Sequence, residues 1–196
     1  MTAVSSARLR VSAAVMSRAK KMADLWIVLI LLAIVVVFAI LSPPDTFLSL
    51  ANFRSITIDT SQILLLAAGQ TLVLIAAGID LSVGSLVIFC AVVAAKVLGP
   101  LSGPASQNYP TVLLGIMAAI AASLLAGAAW GFLNGWATVK LRVPPFIVTL
   151  GTLWMALGLA QVISGGINVA SVPPQLQNFF VFGGLLGVVP WPVVIA

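Results

Sequence analysis

Leu72-Val73-Leu74-Ile75-Ala76-Ala77-Gly78-Ile79-Asp80-Leu81-Ser82-Val83-Gly84-Ser85-Leu86-Val87-Ile88 is a meeting of two apolar runs with almost no connecting loop. A single carboxylate, Asp80, stands at the junction, flanked by Gly78 and Gly84. A charge between apolar runs is costly unless something compensates it. A helix start supplies that compensation. Asp80 or Ser82 can accept from the free backbone donors of the second run, and the carboxylate then sits at the positive end of the helix dipole. Gly78 and Gly84 suit a sharp reversal and close helix contact. The cap explains Asp80 by itself, and the same broken backbone can also line a solute path, as discontinuous helices do in transporters.

Working outward, apolar runs recur along the chain. About 20 apolar residues cross the roughly 30 Å of bilayer hydrocarbon. The runs are Leu25–Leu41, Ile56–Gly78, Leu81–Leu98, Thr111–Leu133 and Phe146–Ile163. A sixth starts near Val188 and stops at Ala196. These predict an all-α, polytopic bundle, with residues 25–196 as the transmembrane domain, and suggest that the chain is part of a longer one. Ser42-Pro43-Pro44-Asp45 ends the first span, since proline removes a backbone donor and restricts the residue before it. Thr46–Ser55 reads as a short interfacial segment with Asn52 as a helix cap. Gly99–Pro110 and Asn134–Val143 read as loops, and Ser164–Phe182 as a polar stretch outside the bilayer.

Composition agrees. Of 196 residues, 62% are hydrophobic and 7% charged, too few ionic groups to cover a water-soluble fold of this size. The net charge of +5 is no nucleic-acid footprint, because five of the nine basic residues (Arg8, Arg10, Arg18, Lys20, Lys21) precede the first span. Residues 1–24 form a basic tail that holds the N-terminus in the cytoplasm and can touch anionic membrane lipid. With Lys140 and Arg142 on the same side, seven basic residues face the cytoplasm and two, Arg54 and Lys96, lie toward the other side. The basic start does not make the first run a signal peptide: the run is long, and Ala39–Pro44 holds no small-x-small cleavage site.

Candidate chemistry is sparse. The chain has no histidine, one cysteine (Cys90) and four scattered aspartates, Asp24, Asp45, Asp59 and Asp80. No imidazole base, cysteine metal site or paired carboxylate is available, and no lysine follows a Gly-x-x-x-x-Gly phosphate loop. The chain is therefore read as neither an enzyme nor a metal binder. Candidate pathway residues are Gln70, Thr71, Asp80, Ser82, Thr149 and Thr152. For Gln70 and Thr71 the alternative is interhelical hydrogen bonding. Thr149 and Thr152, one turn apart, either meet a polar partner or bond back to their own helix. Small residues at spacing four (Gly115, Ala119, Ser123, Gly127, Gly131, then Asn134-Gly135) form a winding ridge suited to close packing.

Gly69–Val73 followed by Gly78–Ser85, then Gly131–Gly135, Val143–Thr152 and Gly165-Gly166, resemble in order and spacing the membrane permeases of ribose-, xylose- and arabinose-type ABC importers. The similarity runs from about residue 25 to the end, and family members have roughly twice as many spans. One position departs: Ala77 stands where a glycine often precedes Gly78. The resemblance implies a permease pair, a homodimer, in the bacterial inner membrane. It also implies a cytoplasmic ABC ATPase that binds ATP and Mg, an extracytoplasmic sugar-binding protein, and a fold similar to the vitamin B12-type importer. No cofactor is implied in this chain. Gly69, Gly78, Gly84, Gly127, Gly131 and Gly135 are expected to serve helix packing and turning. Branched-chain amino acids or nucleosides, the solutes of a related branch, are the rival cargo, and a membrane scaffold is the rival class.

Overall fold

A computed structural model describes residues 25–169 and 172–178, with 184–185, 189–190 and 192–193 beyond them. The chain divides into two compact units, residues 1–56 and 57–196. In the first, helix α1 (Leu25–Leu41) occupies the stretch expected of the first span. It stops at Ser42, whose N–H still reaches the Phe38 carbonyl at 3.0 Å, before the two prolines. The rings of Phe38 and Phe47 stack at 5.8 Å across this turn.

Four further helices follow: α2 (Leu50–Ile75), α3 (Val83–Leu101), α4 (Val112–Lys140) and α5 (Pro145–Ser164). All four are long and apolar enough to cross a membrane. A short helix, α6 (Pro174–Gln177), and a two-residue antiparallel ladder pairing Gly184–Leu185 with Val189–Pro190 come after them. The ladder is the one departure from an all-helical chain among the described residues. The expected sixth span falls largely outside those residues.

Several boundaries differ from expectation, each for a local reason. Helix α2 begins at Leu50, six residues before the expected Ile56, so most of the expected interfacial segment is helical. Its cap is Ser49, whose Oγ accepts the Asn52 N–H at 3.1 Å. Asn52 itself lies in the first turn and donates to the Phe47 carbonyl at 2.8 Å. Helix α3 runs through Gly99-Pro100 to Leu101. There Ser102 closes the last turn with both its N–H (2.9 Å) and its hydroxyl (2.7 Å) on the Leu98 carbonyl. Helix α4 continues through Asn134–Lys140, which the sequence suggested was loop. Asn134 finds a side-chain partner outside its helix, so its amide does not compete for the backbone, and the helix ends only before Arg142 at φ +55°.

In the second unit α3 packs against α4 and α5. The core is Phe89, Trp130, Ala156 and Ala160, with Leu86, Cys90, Val92, Val93 and Ala126 against it. Phe89 and Trp130 meet at 5.2 Å between ring centroids, inclined at 43°. On α5 the buried residues Thr149, Thr152, Ala156 and Ala160 fall at helical spacing, a narrow stripe of small side chains that lets the backbones approach. Leucines such as Leu113, Leu124 and Leu125 on α4 face outward. In water such a surface would aggregate; in hydrocarbon it is the ordinary outside of a bundle.

The helix ends sort into two groups. The α3–α4 connection meets the segment after α5: Gln175 Nε2 donates to Asn108 Oδ1 at 2.9 Å and to the Asn108 carbonyl at 3.3 Å. The α2–α3 reversal, the C-terminal turns of α4 and the start of α5 meet at the other end.

Candidate functional site

The reversal begins where α2 stops. Ala77 adopts a left-handed φ of +58°, its N–H bonds the Leu74 carbonyl at 2.9 Å, and the Gly78 N–H bonds the Val73 carbonyl at 3.0 Å. That pair of bonds is a Schellman helix end. The left-handed residue of the reversal is thus Ala77, and the glycine expected to permit the reversal follows it. Gly78 is buried for another reason: a Cβ there would lie 3.2 Å from Val73 Cγ1, 3.4 Å from the Val73 carbonyl and 3.9 Å from Pro145 Cβ. At Gly84 an added Cβ meets nothing within 4 Å, so the close contact expected there is not made within the described chain.

Residues 79–82 link the two helices without regular structure, and their polar groups are answered by three elements. Gln70 of α2 donates through Nε2 to the Asp80 carbonyl at 3.2 Å. Thr149 of α5 accepts the Leu81 N–H at 3.2 Å. Its hydroxyl lies 2.9 Å from the Pro145 carbonyl and 3.2 Å from that of Ile79. Asp80 Oδ1 accepts the Ser82 N–H at 2.7 Å and the Ser82 hydroxyl at 2.6 Å. Asn134 of α4 donates through Nδ2 to Ser82 Oγ at 2.9 Å. Ser82 is fully buried, and Asn134 and Thr149 are buried. Ser82 stands at the helix start without capping it by side chain; the carboxylate two residues upstream accepts its N–H instead.

A cavity of about 460 Å³ opens beside this knot. Its apolar wall includes Leu72, Val73, Ile79 and Val139, and its polar groups are Asp80, Asn134, Thr138 and Thr149. Pockets of roughly 300–1,000 Å³ with apolar walls and a few convergent polar groups suit small molecules. The chemistry on offer is hydrogen bonding and shape.

The candidate residues therefore separate. Gln70, Asp80, Ser82 and Thr149 are brought together. Thr71 is exposed and its hydroxyl bonds back to the Ala67 carbonyl at 2.7 Å. Thr152 is buried and bonds back to the Thr149 carbonyl at 3.3 Å, away from the cavity lining. Of the glycines, Gly127 touches Cys90, with a Cβ position 3.5 Å from its Sγ. At Gly69, Gly131 and Gly135 an added Cβ meets nothing within 4 Å; Gly131 and Gly135 border the cavity. The tightest contact is at Gly115, where a Cβ would collide with the Ser102 hydroxyl.

Sequence reasoning missed Asn134 and Thr138 as site residues. Asn134 carries the one side-chain amide in α4, and an amide within an apolar helix is a signal by itself. It was obscured by reading Asn134-Gly135 as the start of a loop.

Two comparisons bear on this geometry. Residues 52–186 match the family described as branched-chain amino acid transport system / permease component. The chain is 36% identical over 149 residues to the autoinducer 2 import system permease protein LsrC of Yersinia pseudotuberculosis (serotype O:3, strain YPIII), covering 76% of this chain and 39% of the relative. The same protein of Yersinia pestis (strain Pestoides F) matches to the same extent. The chain thus spans about two fifths (39%) of the length of the curated relatives it matches. No solved structure gives a significant match. The matched stretch takes in α3, α4, α5 and the reversal that knots them, and the chain belongs to this family of transport-system permease components, as a multi-pass membrane protein.

Proposed function

We propose that this chain forms part of the permease subunit of a binding-protein-dependent ABC importer for a monosaccharide, a pentose or hexose. It lies in the bacterial inner membrane with its N-terminus in the cytoplasm. A second permease copy completes the path, an extracytoplasmic binding protein delivers the solute, and a cytoplasmic ATPase holding ATP and Mg supplies the energy. The chain performs no covalent chemistry. The assembled fold is of the vitamin B12-importer type.

One observation carries the reading: Asp80, Asn134, Thr138 and Thr149 line an apolar-walled cavity where the α2–α3 reversal, the end of α4 and the start of α5 meet. A carboxylate is a strong acceptor for hydroxyl donors, and apolar walls suit the C–H faces of a sugar ring. Gln70, Ser82 and Thr149 frame the reversal, while Thr71 and Thr152 serve their own helices. Gly131 and Gly135 leave room on the α4 wall for solute or for the second copy.

The family's description names branched-chain amino acids, and the relatives' name gives autoinducer 2, so the cargo is decided by competition. Gly78–Ser85 favours the sugar branch. The test is the full-length permease reconstituted in proteoliposomes with its ATPase and binding protein. We expect sugar-loaded binding protein to stimulate ATP hydrolysis and uptake, and Asp80→Ala to lower uptake about tenfold or more, since a hydrogen bond to a charged group is worth about 1.5–3 kcal/mol. Stimulation by leucine alone would move the chain to the amino-acid branch. Stimulation by no solute would make it a scaffold.

A further inference from the structure

We propose that Asn134 is a positioning residue: through the buried Ser82 hydroxyl it holds the Asp80 carboxylate in one orientation at the cavity. Its consequence for transport rests on the importer reading above; the linkage itself does not.

Proton counting sets the direction of the linkage. An ionised carboxylate only accepts, so the single proton of the Ser82 hydroxyl goes to Asp80 Oδ1. The 2.6 Å separation is that of a hydroxyl on a carboxylate. Ser82 Oγ is then left as an acceptor, and Asn134 must present its Nδ2 to it, as it does at 2.9 Å. The chain therefore runs amide to hydroxyl to carboxylate, each bond polarising the next. Both hydrogen bonds that the described residues make to the carboxylate fall on Oδ1. Oδ2 takes no hydrogen bond from the described residues, and Asp80 is one of the residues that line the cavity. Asn134 supplies the only part of this chain that comes from another helix, 52 residues away in sequence. Its own Oδ1 is buried with no partner among the described residues, so the amide is held from one side alone. A bond kept merely to tie α3 to α4 would make the same contacts, and the two roles must be separated by chemistry.

Asn134→Asp separates them. The substitution is nearly isosteric. Protonated, the new carboxyl donates to Ser82 Oγ and the linkage stands. Ionised, it can only accept, and two carboxylates compete for one hydroxyl proton. The ionised form is the disfavoured one, so what the linkage supports is present at low pH and is lost as pH rises. Among the described residues Asp80 is the only native titratable side chain lining the cavity. On the surrounding elements α2 carries Arg54 and Asp59, α3 Cys90 and Lys96, α4 Lys140, and the following turn Arg142, while α5 has none.

The experiment uses the full-length permease assembled with its ATPase and binding protein in proteoliposomes, and the same permease purified in detergent. Uptake and thermal midpoint are followed between about pH 5 and about pH 8, well above the ordinary aspartate range of about 3.9. Each is expressed relative to wild type. We expect Asn134→Asp to approach wild type at the acid end and to lose about tenfold or more in uptake, with a falling midpoint, toward the alkaline end. Adding Ser82→Ala removes the hydroxyl and should flatten both profiles at a low value. Ratios for Asn134→Asp that do not change with pH would overturn the proposal. So would a pH-dependent midpoint with pH-independent uptake, because Asn134 would then be only a structural tie. A wild-type complex that imports nothing sinks the importer reading and with it the positioning role, and a midpoint ratio for Asn134→Asp that does not change with pH would then overturn the hydrogen-bonded linkage as well.

Discussion

Ala77 sits in the left-handed region at φ +58°, as the residue just past the end of α2. Helix α5 ends in the same hydrogen-bond pattern, with Gly165 at φ +75° in the equivalent place and the Gly166 N–H on the Gln161 carbonyl at 2.9 Å. The left-handed conformation costs an L-residue about 1–2 kcal/mol, and glycine escapes that at an entropic cost of about 0.5–1 kcal/mol. Ala77→Gly should therefore stabilise the protein by about 0.5–1 kcal/mol, read as a raised thermal midpoint in detergent. A lowered midpoint would show that the alanine methyl is packed rather than strained. The sequence announced a turn here through Gly78 and Asp80, but not which residue takes the positive φ, because that depends on where the last α2 carbonyls find their donors. Thr149 is a similar case. Its place on one face with Thr152 was legible, whereas its role as acceptor for the Leu81 N–H, 68 residues away in sequence, was not.

At the scale of elements, the small-residue ridge of α4 is used unevenly. Gly115 and Ala119 are buried, and a Cβ at Gly115 would also come within 3.0 Å of the Leu98 carbonyl and the Ser102 nitrogen. Ser102 cannot turn away without giving up its bond to Leu98. Farther along, Gly131 faces open space. Gly115→Ala should cost about 1–3 kcal/mol through overpacking, while Gly131→Ala, with open space inside a helix, should stabilise the separate chain by about 0.5–1 kcal/mol. Equal shifts in thermal midpoint for the two variants would contradict this division. The ridge was legible from spacing alone. A ridge winding about its helix touches a given neighbour over only part of its length, and the crossing of α3 and α4 decides which part. A large residue at Gly131 then bears on whatever partner meets that face, including a second permease copy.

Across the whole molecule, the reversal, the end of α4 and the start of α5 share one end of the bundle, next to Lys140 and Arg142. On the topology proposed above, which the excess of basic residues favours, that end faces the cytoplasm. In a chain whose native Cys90 is replaced by alanine, Lys140→Cys should resist an impermeant thiol reagent applied to intact cells and react once the membrane is opened. Labelling from outside would invert the topology and place the cavity at the other surface. The knot lies close to that end without being at it: Asn134 is six residues before Lys140, about 9 Å at 1.5 Å per residue. The sequence by itself determined that the chain crosses a membrane as helices, where the reversal falls, and which family it joins. Hydrocarbon admits a long apolar run only as a helix with its backbone bonds satisfied internally, and such runs are visible in one dimension. Only the tertiary structure decided that Asn134 belongs with Asp80, Ser82 and Thr149, that Thr71 and Thr152 do not share in the cavity, and that α4 continues through Asn134–Lys140. Those outcomes turn on which buried polar group meets which donor across three helices, and a partner tens of residues away leaves no mark on local pattern.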